Sequence, residues 1–147
     1  MIKDDEPHYL LDTNIVSELL RYRSDFNVLK KMAEHSSDMA ISVIVLDELL
    51  TGAMLLKEGR KKEALLEFIQ NDVKENFKIK VFDEKAAEMH AVIYSSLLKN
   101  GSPVSAGDTQ IAAIAIAENM TLVTRNTKHY ESIASQFGLK MENWFED

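Results

Sequence analysis

The stretch Tyr9-Leu10-Leu11-Asp12-Thr13-Asn14-Ile15-Val16-Ser17-Glu18-Leu19 decides the fold. Three apolar-bodied residues make a short strand, Asp12 closes it, and the chain passes directly into a helical pattern. The same switch recurs downstream. Strands are expected over residues 9–12, 39–42, 79–82 and 121–124, with a weak last strand over 139–142. Helical patterns fill 13–21, 25–35, 43–56, 61–72, 84–99, 106–119 and 128–136. Gly59, Asn100-Gly101-Ser102-Pro103 and Gly138 supply the turn signals between them. Strands that alternate with helices predict an α/β fold, with a mainly parallel sheet of four to five strands covered by helices. Such sheets place their sites beyond the carboxyl ends of the strands, where connections diverge. Asp12 and the Thr124-Arg125-Asn126 turn both fall at such ends.

With 147 residues, 46% of them hydrophobic, one domain spanning 1–147 is expected. Residues 1–8 are expected as a flexible N-terminal extension. Cysteine is absent; disulfides, thiolate zinc sites and a cysteine nucleophile are thereby removed together, in keeping with a reducing cytosol. No apolar run approaches the roughly 20 residues of a membrane helix. The first eight residues lack the basic segment and apolar core of an export signal, so a soluble, cytoplasmic protein is expected. A net charge of −7 opposes nucleic-acid binding by general electrostatics, and any such partner must meet a local basic patch. Candidates are Arg21, Arg23, Lys30 and Lys31 after the first helix, and Lys57, Arg60, Lys61 and Lys62 between the third and fourth. Each group taken alone is more simply a solvated helix face.

Three carboxylates stand among apolar residues: Asp12 at a strand end, Glu48 in the helix over 43–56, and Asp108 opening an alanine-rich helix. A carboxylate in such surroundings is costly unless it is paired or binds a cation. A shared Mg²⁺ or Mn²⁺ would answer all three. Each has a plainer reading. Asp12 is placed to cap the first helix. Ser105-Ala106-Gly107-Asp108 matches a capping box, with the Asp108 carboxylate reaching back to the Ser105 amide. Asp108 nevertheless shares a helix face with Ala112 and Ala115, so its side chain should lean inward. Spacing does not choose between Glu48 and its neighbour Asp47, since both share faces with apolar residues.

Phosphodiester hydrolysis suits such a cluster, because divalent ions activate water, hold the scissile phosphate and stabilise the leaving oxygen. Without the ion the cluster repels itself, and at least one carboxylate should have a raised pKa. A metal-free ribonuclease would instead need two converging imidazoles. Among His8, His35, His90 and His129, only His129 lies near the expected site in sequence, and structural or surface roles are expected for all four.

Four segments together resemble PIN-domain ribonucleases, and within them the VapC toxins of toxin–antitoxin pairs: Tyr9-Leu10-Leu11-Asp12-Thr13-Asn14-Ile15-Val16-Ser17-Glu18-Leu19, Ile41-Ser42-Val43-Ile44-Val45-Leu46-Asp47-Glu48-Leu49-Leu50-Thr51-Gly52-Ala53, Gly107-Asp108-Thr109-Gln110-Ile111-Ala112-Ala113-Ile114-Ala115 and Leu122-Val123-Thr124-Arg125-Asn126-Thr127-Lys128-His129-Tyr130. They occur in the family's order and span most of the chain. The resemblance implies a Rossmann-like α/β/α sandwich and Mg²⁺- or Mn²⁺-dependent cleavage of structured RNA, often transfer RNA. It also implies a homodimer, a higher assembly with the antitoxin, and inhibition by a VapB-type antitoxin. By position, Asp12, Glu48 and Asp108 match the family's three acids, which selects Glu48 over Asp47. Asp12 and Asp108 would be the chief metal ligands, with Glu48 completing the pocket. Asn126 stands where many PIN domains carry a fourth acid, and His129 where related chains often carry Asp or Glu. Arg21, Arg23, Lys57, Arg60 and Arg125 are the candidate RNA contacts.

The resemblance also locates the inhibitor. An arginine inserted by the antitoxin would pair with the acidic pocket, and the first three helices, rich in Val, Leu and Met, would offer its tail an apolar groove. Two other classes compete. Aspartate-based phosphotransferases of similar topology use Asp-x-Asp after the first strand, and here Asp12-Thr13-Asn14 lacks the second acid. A catalytically weakened binding module is favoured by Asn126 and the negative charge.

Overall fold

The computed structural model describes residues 6–145. Its sheet has five strands, β1 (Tyr9–Leu11), β2 (Met39–Ser42), β3 (Lys78–Lys80), β4 (Thr121–Val123) and β5 (Lys140–Glu142), in the order β3-β2-β1-β4-β5. Every pairing is parallel. Leu10 and Leu11 are wholly buried because β1 lies at the centre of the sheet, paired on both sides. A strand covered on both faces needs an uninterrupted apolar run, and that run is what the opening stretch supplies. The α/β expectation and its five-strand form are borne out.

Helices fill the connections. α1 (Thr13–Val16) tightens into a 3-10 turn over Ser17–Leu20, and α2 (Phe26–Glu34) leads to β2. α3 (Val43–Met54) starts at once after β2, its first turn capped by the buried Ser42 hydroxyl, which accepts from Val45 N at 3.1 Å. α4 (Arg60–Glu67) runs through a π-helical turn, Phe68–Val73, into the short α5 (Lys74–Asn76). α6 (Glu84–Lys99) packs along α7 (Ala106–Ala117), whose Ile111, Ala112, Ala113, Ile114 and Ala115 are fully buried. Small residues let this helix approach its neighbours closely. A 3-10 turn over Thr127–Tyr130 and α8 (Glu131–Phe137) complete the chain before β5. Gly138 ends α8 at φ 73°, a left-handed position that glycine takes without a Cβ penalty.

Most ends move by a residue or two, and two segments differ in character. β3 begins one residue earlier than expected and ends at Lys80, because Asp83 already caps α6 by accepting from Ala86 N at 2.9 Å. The helix expected over 61–72 is continuous only by way of its π turn. Of the extension expected over residues 1–8, residues 1–5 lie outside the described residues. Pro7 is buried, and His8 N–H donates to Asp38 Oδ1 at 2.8 Å.

Strand order fixes where a site can lie. From β1 the chain builds outward through β2 and β3 on one side, and β4 and β5 stand on the other. The connections leaving β1 and β4 therefore diverge, opening a crevice above their carboxyl ends.

Candidate active site

Asp12 stands at the head of that crevice. Its own N–H donates to Val123 O at 2.9 Å, continuing the β1–β4 ladder by one bond beyond the strand. Its side chain caps α1, with Oδ1 accepting from Thr13 N at 2.9 Å. The capping reading is thus correct for one oxygen. Oδ2 faces the other way and accepts from the Thr124 hydroxyl at 2.9 Å and the Tyr130 hydroxyl at 3.3 Å. The residue is only 6% exposed.

Thr13 joins Asp12 to α3. Its hydroxyl donates to Glu48 Oε1 by a short hydrogen bond. Asp47, by contrast, accepts from Thr51 of its own helix at 3.0 Å. Local sequence left these two acids undecided because each faces apolar neighbours; the contact with Thr13, 35 residues away, separates them.

Asp108 enters from the first turn of α7. The Ser105 hydroxyl accepts from Asp108 N at 3.2 Å, as a capping box requires, but the Asp108 carboxylate turns to His129, whose Nε2 lies 2.9 Å from Oδ2. His129 stays exposed, as a structural or surface role expects, and its ring also lies against an acid of the site. Its place follows from the 3-10 turn Thr127–Tyr130, which sets His129 and Tyr130 beside each other with rings 5.3 Å apart. His8 bonds Asp38, His35 stacks on Trp144 and His90 stacks on Tyr94. Two imidazoles do not converge here.

Electrostatics follow the geometry. Burial pushes the Asp12 pKa up, hydrogen bonds from Thr124 and Thr13 oppose it, and the Asp108 charge adds to it; the net direction is upward. Glu48 is raised as well, first by desolvation and then by repulsion from Asp12, Asp108 and Asp47, against the bond from Thr13. Burial and the charges of Asp12 and Asp108 push the Tyr130 phenol far up, so it keeps its proton as a donor. The raised carboxylate expected from the sequence is present twice.

Beside Asp108 opens a cleft of about 780 Å³ lined by Asp108, Arg125, Asn126, Thr127, Lys128 and His129. Arg125 stacks on the Phe145 ring at 4.4 Å, and its N–H donates to Asn14 Oδ1 at 3.0 Å. Asn14 Nδ2 in turn donates to Thr124 Oγ1 at 3.3 Å. Asn14, at the position where an Asp-x-Asp phosphotransferase carries its second acid, therefore staples the turn after β4 to the start of α1. Of the basic candidates, Arg125 lines this cleft, beside Lys128, which the sequence reading did not single out. Arg21 is exposed and reaches Glu18 at 3.5 Å, while Arg23, Lys57 and Arg60 are exposed on the flanking helices and turns.

The donor set suits a hard divalent cation that keeps part of its water. Among the described residues no three carboxylate or imidazole groups form a ready three-ligand cage. Mg²⁺ and Mn²⁺ sites commonly need only one or two carboxylates directly. Asp12 and Asp108 would be the pair to meet that need, and Thr13 holds Glu48 beside them. Thr13, Asn14, Thr124 and Tyr130, which orient these acids, carried no signal in the sequence beyond lying in the same segments.

A PIN-domain model matches residues 9–134, and the chain belongs to the PIN-domain family. Within that family it groups with the VapC-type toxins. Toxin FitB of Neisseria gonorrhoeae is 36% identical over 121 residues, 80% of this chain and 87% of that protein. Ribonuclease VapC2 of Rickettsia felis is 33% identical over 92% of this chain and 97% of its own. The tRNA(fMet)-specific endonuclease VapC of Shigella flexneri is 29% identical over the same two shares. In three dimensions, FitAB bound to the IR36 DNA fragment matches with a TM-score of 0.84 at 31% identity, covering 95% of this chain and 96% of that one.

Proposed function

We propose that this VapC-type PIN ribonuclease is a Mg²⁺- or Mn²⁺-dependent endoribonuclease toxin of the cytoplasm, cutting structured RNA of the transfer-RNA class and silenced by a VapB-type antitoxin. The observation that carries the reading is the meeting of Asp12, Glu48 and Asp108 around Thr13, Tyr130 and the basic-lined cleft.

Asp12 and Asp108 would hold the ion, with Glu48 beside them. When bound, it supplies Lewis-acid charge that acidifies water and neutralises the scissile phosphate. The protein's own residues do the rest. Thr13, Thr124 and Tyr130 donate to the carboxylates and fix their orientation; Arg125 and Lys128 draw the phosphate backbone into the cleft against an overall charge of −7. Asn126 keeps a neutral amide where a fourth acid would add repulsion. Arg21, Arg23, Lys57 and Arg60 extend the RNA path over the outer helices.

The partner reading rests on an apolar surface. Tyr22 is fully exposed, Phe26 77% and Leu55 82%, and Leu19, Leu20 and Met54 are exposed as well, on the 3-10 turn after α1, the link to α2 and the end of α3. Such a surface suits the apolar face of an antitoxin tail, whose arginine would pair with the acids. A homodimer, carrying antitoxin in a higher assembly, completes the proposal.

Purified protein incubated with total RNA and Mn²⁺ or Mg²⁺ tests the reading. Discrete fragments should form, and should vanish with EDTA or with Asp12→Asn. Intact RNA with antitoxin binding retained would favour the catalytically weakened binding module instead.

A further inference from the structure

Tyr130 is 1% exposed, and a phenylalanine would fill the same space. A buried hydroxyl is costly to carry without a partner, so its presence calls for one. Its partner is Asp12: the phenol donates to Oδ2 at 3.3 Å, beside the Thr124 hydroxyl on the same oxygen. The charges of Asp12 and Asp108 both act on this phenol and keep it protonated. Asp12 closes β1 and Asp108 opens α7, and adjacent residues of one 3-10 turn reach both acids: Tyr130 bonds Asp12, and His129 meets Asp108 Oδ2 at 2.9 Å.

We propose that Tyr130 is a positioning residue whose hydroxyl fixes Asp12 Oδ2 and sets the orientation in which Asp12, beside Asp108, receives a divalent cation. The proposal rests on the metal-dependent reading above. It differs from a packing role in what it demands of the oxygen atom. The ring secures the fold, whereas the hydroxyl acts on the carboxylates and leaves the metal-free fold little changed. Groups hydrogen-bonded to ligands commonly govern affinity for the ion although they do not touch it.

Tyr130→Phe removes that oxygen alone. In the full chain, stripped of metal and titrated with Mn²⁺ while the free-ion electron paramagnetic resonance signal is followed, the variant should bind about tenfold more weakly than the parent. Its thermal midpoint in EDTA should stay near the parent's. RNA cleavage should return as Mn²⁺ is raised, with the half-maximal concentration displaced by the same factor. Equal Mn²⁺ affinity in the two proteins overturns the proposal and leaves the metal-dependent reading standing. A lowered midpoint with affinity intact assigns the hydroxyl to the fold and overturns it too. A parent protein that takes up no Mn²⁺ at all overturns both.

Discussion

Asp12 is asked to be buried and charged at once. Three donors make that tolerable, the Thr13 amide and the hydroxyls of Thr124 and Tyr130, yet burial still leaves its pKa above the ordinary 3.8. The raised value fixes a sign. The metal-free folded state favours the protonated acid, so Asp12 contributes stability that is complete below pH 3.8 and is lost as pH rises through its folded value. Asp12→Asn has no such group. In EDTA, urea midpoints of the parent should therefore fall relative to those of Asp12→Asn as pH climbs from roughly 4 to 7. Parallel profiles would show that the carboxylate is not strained by burial.

The turns after β1 and β4 are the elements on which the site depends. Asn14 holds them together, accepting from Arg125 N and donating to Thr124 Oγ1, and the Thr124 hydroxyl donates its own hydrogen bond to Asp12. Asn14→Ala should cost about 1–2 kcal/mol of stability, read from urea unfolding, and lower cleavage more than stability because Thr124 loses its anchor. Unchanged cleavage would mean that Thr124 is held by its remaining contacts. This staple also marks the limit of sequence reading. β1, β2 and β4 were legible because buried parallel strands need apolar runs, and Asp12 because an acid ending such a run stands out. α7 was legible from its alanines. Asn14 and Thr124 are 110 residues apart, and nothing in either neighbourhood advertises their bond. His129 stood out in the sequence only by its place near the expected site, and Tyr130 not at all, since a one-turn 3-10 segment has no periodicity to reveal its inward face. β3 shifted because the capping demand of Asp83 overrode the apolar Val81-Phe82 pair.

Over the whole molecule, the sheet order makes one crevice and the charge distribution makes it selective. The strand order turns at β1, so acids from β1, α3 and α7 meet where the connections part. On the proposed reading, an acidic chain would draw RNA first through the cations at that mouth, Arg125 and Lys128. In the proposed mechanism a carboxylate-held divalent ion, rather than a pair of imidazoles, drives the cut. The chemistry of the new RNA ends tests this most directly, because attack by water leaves the neighbouring 2′-hydroxyl out of the reaction. Fragments made with Mn²⁺ should carry a linear monophosphate on one side of the cut and a free hydroxyl on the other, and should not form in EDTA. Ends bearing a 2′,3′-cyclic phosphate, produced equally well with the chelator present, would contradict the account.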